Sequence, residues 1–124
     1  MDVFYFYGLL ITKLNYVSPD ILKMPKEVME EVGAKNIPQA EFASLEKILP
    51  ETDVLYVTRV QKERFEDPAD YEKVKGAYVI DPEIMKVAKK DMIVMHPLPR
   101  VGEISTDFDD DPRAAYFRQM EYGL

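Results

Sequence analysis

Short apolar runs alternate along the chain with short amphipathic segments. Residues 14–17 read as a strand closed by Ser18-Pro19. Pro25 stands at a helix start ahead of residues 26–32, where Val28, Met29 and Val32 share one face and Gly33 is the expected stop. Residues 41–43 suggest a short strand, and Ser44 the cap of a helical turn through Leu49 that Pro50 ends. The clearest strand is residues 53–58 (DVLYVT), rich in β-branched and aromatic side chains. Asp67-Pro68 opens a helix through about Val74 by the cap-then-proline signal. Residues 77–80 come next as a strand, and Asp81-Pro82 opens a helix through about Lys89. Residues 92–95 (MIVM) read as a buried strand, and Asp111-Pro112 as the start of a helix running towards Glu121.

Strand–helix alternation at this spacing predicts an α/β domain: three layers, with a mostly parallel sheet flanked by helices. Strands that are apolar on both faces fit helices on both sides. Open α/β sheets bind ligands beyond the carboxyl ends of their strands. Three such ends are chemically distinctive: Tyr16-Val17-Ser18-Pro19, the stretch from Arg59 to Arg64, and His96-Pro97-Leu98-Pro99-Arg100. Polar and cationic groups are therefore expected along one edge of the sheet.

Composition narrows this picture. At 124 residues the chain has room for one small domain, and eight Tyr and six Phe help to fill its core. The net charge of −7 gives no basic face for a nucleic acid. Without Cys there is neither a disulfide framework nor thiolate chemistry, and a cytoplasmic location fits. The apolar run at residues 3–11 stands after Asp2 rather than a basic segment, and no small-residue cleavage site comes after it. It is also far shorter than the ~20 residues that span a bilayer. A buried element of a soluble domain is expected there, with no membrane partner.

Arg59 and Gln61 lie two positions apart, which in extended backbone points both side chains to one face. A guanidinium fork matches a carboxylate, and Gln adds a neutral donor, so the pair suits a small dicarboxylate. A solvated loop with ion pairs among Arg59, Lys62, Glu63 and Arg64 explains the same residues. In His96-Pro97-Leu98-Pro99-Arg100 two prolines restrict the backbone, so the Leu98 carbonyl can be a rigid acceptor and Leu98-Pro99 is a candidate cis bond. His96, the single His, reads as a strand-end residue bonded to backbone, since no second His or Cys is present to build a metal site or a nucleophile–base pair. The acidic run from Asp107 to Asp111 precedes Pro112, where carboxylates cap helix amides. Phosphate-cradling glycine motifs and the acyl-transfer elbow are absent.

These segments together resemble a known family. Thr58-Arg59-Val60-Gln61-Lys62-Glu63-Arg64-Phe65 resembles the T-R-x-Q-K-E-R-F/L signature of aspartate carbamoyltransferases. His96-Pro97-Leu98-Pro99-Arg100-Val101 with Glu103-Ile104 is similar to their H-P-L-P-R-x-x-E-I segment, and Asp111 to Gln119 is similar to the family's next stretch. Tyr16-Val17-Ser18-Pro19 with Leu22, Met24 and Pro25 resembles a strand-turn-M-P segment. The blocks fall in family order over nearly everything from Leu14 to Leu124, and their wording is most like the version fused into eukaryotic multifunctional pyrimidine enzymes. Ornithine carbamoyltransferases carry H-C-L-P where this chain has His96-Pro97-Leu98-Pro99.

The resemblance implies attack by the amine of L-aspartate on carbamoyl phosphate, a step of pyrimidine biosynthesis that needs no metal or organic cofactor. Arg59 and Gln61 correspond to residues that hold the aspartate carboxylates. Leu98, through its carbonyl, corresponds to the catalytic group that orients the carbamoyl moiety, and Arg64 to an interdomain contact. The family's subunit has two domains, and residues 1–124 correspond to the aspartate-binding one, incomplete at both ends. The S-T-R-T phosphate loop and the H-P-x-Q segment are not in this sequence, and residues 2–8 do not match the G-R-T-x-H block expected before Tyr16. Losing one oxyanion donor alone costs ~3 kcal/mol of barrier. The expectation is a fragment, a truncated product or a degenerate copy, inactive without the carbamoyl-phosphate domain. The alternative is a non-catalytic module that binds dicarboxylates weakly or associates with full-length carbamoyltransferase subunits.

Overall fold

A computed structural model of the chain describes residues 13–19, 22–60, 62–74, 76 and 78–123. The apolar run at residues 3–11 and Gln61 lie outside the described residues, as do Ala77 and the side chain of Arg64. The chain divides into two compact units, Met1–Ser44 and Leu45–Leu124.

In the first unit, β1 (Leu14–Val17) pairs in parallel with β2 (Gln39–Phe42), Leu14 opposite Gln39 and Val17 opposite Phe42. The crossover is α1 (Lys26–Ala34), the arrangement that parallel pairing demands. Gln39 ties the three elements together. Its Oε1 accepts from the Tyr16 hydroxyl at 3.0 Å, while its Nε2 donates to the Met29 carbonyl at 2.6 Å. Burial, and then the nearby charge of Glu41, push the Tyr16 phenol up. Gly33 does not stop α1, which runs to Ala34. The stop comes at Asn36, whose φ of 55° is the left-handed cap that Asn tolerates. The strand expected at residues 41–43 starts two residues earlier, at Gln39.

The second unit is built on β3 (Val54–Tyr56) and β4 (Ile93–Met95), again parallel, with Val54 opposite Ile93 and Tyr56 opposite Met95. β4 is also bonded along its other flank, through a parallel bridge from Val94 to Ala114. The Val94 N–H donates to the Arg113 carbonyl at 2.8 Å, and the Ala115 N–H to the Val94 carbonyl at 2.9 Å. A second bridge joins Ile80 to Ile104. All the described pairings are parallel, in keeping with the expected α/β class.

α2 (Pro68–Val74) forms where the cap-then-proline signal puts it, with the Asp67 carboxylate accepting from the Ala69 N–H at 2.9 Å. Two other helix expectations are corrected. Asp81-Pro82 opens only a 3₁₀ turn at Ile84–Val87: the Ala88 N–H closes back on the Met85 carbonyl at 3.2 Å, the backbone turns extended at Ala88, and the Arg113 guanidinium shares that carbonyl at 2.9 Å. Asp111-Pro112 opens no helix either; α3 starts at Tyr116 and runs to Tyr122. The Arg113 carbonyl and the Ala115 N–H are bonded to Val94 of β4 instead. The turn expected after Ser44 through Leu49 is present, with the Leu49 N–H on the Leu45 carbonyl at 3.2 Å, but it runs on as a 3₁₀ turn, Leu49–Glu51, with Pro50 inside it rather than ending it.

Leu49, Met85, Val94, Phe108 and Tyr116 are fully buried in this unit. Phe108 sits on a 3₁₀ turn (Thr106–Phe108) and lies under the Arg113 guanidinium, 5.8 Å from ring centroid to Cζ. Arg113 is itself held by Asp111, through Nε to Oδ1 at 2.9 Å and Nη2 to Oδ2 at 2.8 Å. The run from Asp107 to Asp111 therefore caps no α-helix, contrary to expectation; Asp111 holds Arg113 instead.

This core can be tested at two positions. Phe108→Ala removes a fully buried ring and should cost about 3–5 kcal/mol in urea unfolding; a cost near zero would mean that the site collapses without a cavity. The Arg113 guanidinium holds the Asp111 carboxyl below the usual carboxylate range. A depressed carboxylate contributes stability above its unfolded pKa, and that stability is lost as pH falls through the folded value. Asp111→Asn should therefore cost about 2 kcal/mol at pH 7, the worth of a charge-assisted pair. The cost should shrink on acidification below about pH 4, where the unfolded carboxyl titrates. A pH-independent gap between the two unfolding curves would refute this origin.

Candidate functional site

Parallel pairing sends the chain out of β3 and β4 at the same end. The Val57 N–H donates to the Met95 carbonyl at 2.9 Å, carrying the ladder one step past β3. Arg59 comes two residues later, and His96 directly after β4. The two distinctive loops of this unit thus leave from neighbouring strand ends, where α/β sheets bind ligands. In the first unit, Ser18, Lys23, Glu41, Phe42 and Ala43 line a cleft of about 160 Å³ beyond the ends of β1 and β2.

Arg59 is half exposed and donates through Nη1 to the Glu63 carboxylate at 3.2 Å. A hydrogen bond from a backbone amide, and then the Arg59 charge, hold the Glu63 carboxyl below its usual range. An exposed pair of this kind contributes little to stability, so a ligand carboxylate displaces it at small cost. The surface ion pair and the ligand clamp are therefore compatible roles for one side chain. Behind it, the 3₁₀ turn Lys62–Arg64 is anchored by Phe65, whose ring meets Tyr71 edge-on at 5.7 Å. Arg64 closes that turn with its backbone.

The loop after β4 is held more firmly. The Leu98–Pro99 bond is cis, as the two prolines suggested, and Leu98 has a φ of 49°. A β- or γ-branched residue rarely adopts that left-handed conformation, so the surroundings must hold it. His96 is 2% exposed and does much of the holding. Its Nδ1 accepts from the Leu98 N–H at 2.8 Å, and its Nε2 lies 2.9 Å from the Glu103 carboxylate. The partners fix the tautomer: Nδ1 is an acceptor, so Nε2 carries the proton and donates to Glu103. The His96 N–H reaches the Gln119 side chain on α3 at 3.3 Å, and the other Glu103 oxygen accepts from the Val101 N–H at 2.7 Å. His96 is thus a strand-end residue bonded to backbone, as expected, with a carboxylate behind it.

Arg100 ends the loop and is clamped by Asp109. One guanidinium nitrogen donates to Oδ2 at 2.6 Å, another to Oδ1, and the Tyr116 hydroxyl shares Oδ1. The Arg100 guanidinium holds the Asp109 carboxyl below the usual range, and its own pKa moves up in return. Burial first, and then Asp109, push the Tyr116 phenol up to about 12. Phe117 meets the Tyr116 ring edge-on at 4.8 Å.

Both carboxylates of this network, on Asp109 and Glu103, escape sequence reasoning, as does Gln119. Spacing carries no sign of them, since their partners stand 7 to 23 residues away along an irregular path. The H-P-L-P-R-x-x-E-I wording was the one available pointer to Glu103. Among the described residues the Leu98 carbonyl has no hydrogen-bond partner, so it remains an acceptor for a ligand N–H. No group of three or more acidic or His side chains among the described residues is arranged to hold a metal ion.

Comparison with known proteins agrees with this arrangement. Residues 2–124 match the family model "Aspartate/ornithine carbamoyltransferase, Asp/Orn binding domain". The multifunctional protein pyr1-3 of Dictyostelium discoideum is 59% identical over 112 residues, which are 90% of this chain and 5% of that protein. The catalytic subunit of M. jannaschii aspartate transcarbamoylase superposes with a TM-score of 0.80 at 53% identity, over 90% of this chain and 36% of that subunit. Trypanosoma cruzi aspartate transcarbamoylase in complex with carbamoyl phosphate and aspartate gives a TM-score of 0.77 at 46% identity, over 90% of this chain and 38% of that one. The chain thus spans little more than a third of the catalytic subunits it matches. It belongs to the aspartate/ornithine carbamoyltransferase family, to whose aspartate/ornithine-binding domain its residues 2–124 correspond.

Proposed function

We propose that this chain supplies the aspartate-binding half of an aspartate carbamoyltransferase. The α-amine nitrogen of L-aspartate attacks the carbamoyl carbon of carbamoyl phosphate. The bond from that carbon to the phosphate oxygen breaks, the amine gives up a proton, and N-carbamoyl-L-aspartate and phosphate leave. The observation that carries this reading is the exit of the Arg59 and Leu98 loops from neighbouring ends of parallel strands. One loop offers a cation for a carboxylate, and the other a backbone carbonyl for an N–H.

Each group has a role that suits its chemistry. Arg59 binds a carboxylate of aspartate through its guanidinium fork, with Gln61 as a second donor. The Leu98 carbonyl accepts from the carbamoyl nitrogen and so orients the carbon under attack. Arg64 contacts the carbamoyl-phosphate domain, which supplies the phosphate ligands. The acceleration comes from positioning two reactants and stabilising developing charge, without a metal or organic cofactor. The ornithine alternative is disfavoured by Pro97, which stands where that branch carries Cys, and by the aspartate-specific names of the relatives. The setting is the cytoplasm, and full-length carbamoyltransferase subunits are the partners.

The test is a titration of the chain with L-aspartate and with succinate, monitored by NMR, together with turnover after addition of a carbamoyl-phosphate domain. Both dicarboxylates should shift resonances around residues 57–65 and 96–100, and turnover should appear only in the mixture. Arg59→Ala removes a charge-assisted contact and should weaken aspartate binding roughly 10-fold or more. Unchanged affinity in that variant, or a mixture without turnover, would overturn the reading.

A further inference from the structure

We infer that Glu103 is a positioning residue for the carbamoyl-transfer reaction, acting through His96 on the Leu98 carbonyl, and that the position requires a carboxylate rather than an amide. The inference rests on the role of Leu98 proposed above. Glu103 touches no reactant; it sets the state of the group that sets Leu98.

Donors and acceptors can be counted one by one around the loop. Pro97 and Pro99 have no N–H, so the loop has few handles by which the fold can grip it. One is the Leu98 N–H, and its partner is the Nδ1 lone pair of His96 at 2.8 Å. That lone pair exists only while the imidazole proton resides on Nε2. Glu103 keeps it there by accepting from Nε2 at 2.9 Å, in a site where both side chains are at most 6% exposed. With water so largely excluded, no solvent stands in for a missing partner, and an unpaired donor costs its full desolvation penalty.

The second carboxylate oxygen is committed as well, accepting from the Val101 N–H at 2.7 Å. Glu103 therefore faces two donors, one at each oxygen. A glutamine of the same shape offers one acceptor and one donor, and cannot satisfy both. If its oxygen stays on Val101, its NH2 group faces Nε2. The imidazole then moves its proton to Nδ1, where it opposes the Leu98 N–H. If its oxygen goes to His96, the Val101 N–H is left facing an NH2 group. In the first case the Leu98 peptide loses its partner while still at a φ of 49°, and its carbonyl is no longer held in one orientation. In the second the backbone between Arg100 and Glu103 shifts, and with it the Arg100 end of the same loop.

Two measurements test this, one without any turnover. In the full chain, nitrogen NMR of the His96 imidazole should show a single tautomer, protonated at Nε2 with Nδ1 bare. A tautomer protonated at Nδ1, or an imidazolium at neutral pH, would overturn the inference whether or not any variant folds. Glu103→Gln should move the proton towards Nδ1 or shift the Val101 amide, with the Leu98 amide shifted in either case. An unchanged imidazole together with unchanged Leu98 and Val101 amides would likewise overturn it. In the chain supplied with a carbamoyl-phosphate domain, Glu103→Gln should lower kcat about 10-fold or more, as expected for a misplaced orienting group. The KM for L-aspartate should stay within about twofold, since Arg59 is untouched. A raised KM with unchanged kcat would assign Glu103 to substrate binding instead. Absent turnover in the unsubstituted mixture would sink the aspartate reading, while the imidazole result would still decide how Leu98 is held.

Discussion

β4 is hydrogen-bonded along both flanks, and the candidate site depends on that. Its Ile93 N–H goes to Asp53 and its Met95 carbonyl to Val57, on the β3 side. Val94 gives both of its backbone groups to residues 113 and 115 on the other. A strand so held cannot slide, because a one-residue slip would bring the wrong side chains to the buried face. Val94 is fully buried between two more exposed neighbours, as that register requires. The loop after Met95 therefore starts from a fixed point, and a reacting atom needs a fixed point to be oriented.

A chain carrying a net charge of −7 has to place its carboxylates with care. Where residues 103–111 are drawn into the fold, each inward carboxylate meets donors with matched geometry. Glu103 faces an imidazole N–H and an amide, Asp109 a guanidinium and a phenol, and Asp111 a guanidinium and an amide. Pairs of this kind cost desolvation and recover it only when the hydrogen bonding is complete. The clamps also join segments that lack regular secondary structure. Arg100 and Arg113 grip carboxylates on one short stretch, so the loop after β4 and the segment alongside β4 share a common support.

Legibility tracked the range of each interaction. The strands at residues 14–17, 54–56 and 93–95 were readable, because apolar runs between turn residues report burial directly. α2 was readable from Asp67-Pro68, where cap and helix are adjacent. The helices expected after Asp81-Pro82 and Asp111-Pro112 stop short for different reasons: the first ends as a 3₁₀ turn where the backbone extends at Ala88, and in the second Val94 takes the Arg113 carbonyl and the Ala115 N–H. Of the strand expected at residues 77–80, the described residues keep a single bridge, Ile80 to Ile104. Arg59 and Leu98 stand out as candidates because their chemistry is written in consecutive residues. Glu103 and Gln119 could not be assigned, because what matters about them is the His96 they reach.

The order of parts along the chain gives the flank of β4 a meaning for synthesis. A polypeptide leaves the ribosome amino end first, so β3 and β4 emerge while the strip that will cover Val94 is still being made. During that interval Val94 presents an unpaired edge of the sort that recruits stray strands. The amide of His96 waits as well, for a glutamine 23 residues downstream. The nascent loop thus has its prolines and histidine in place before anything holds them. The stretch that holds the loop after β4 is translated only after that loop itself.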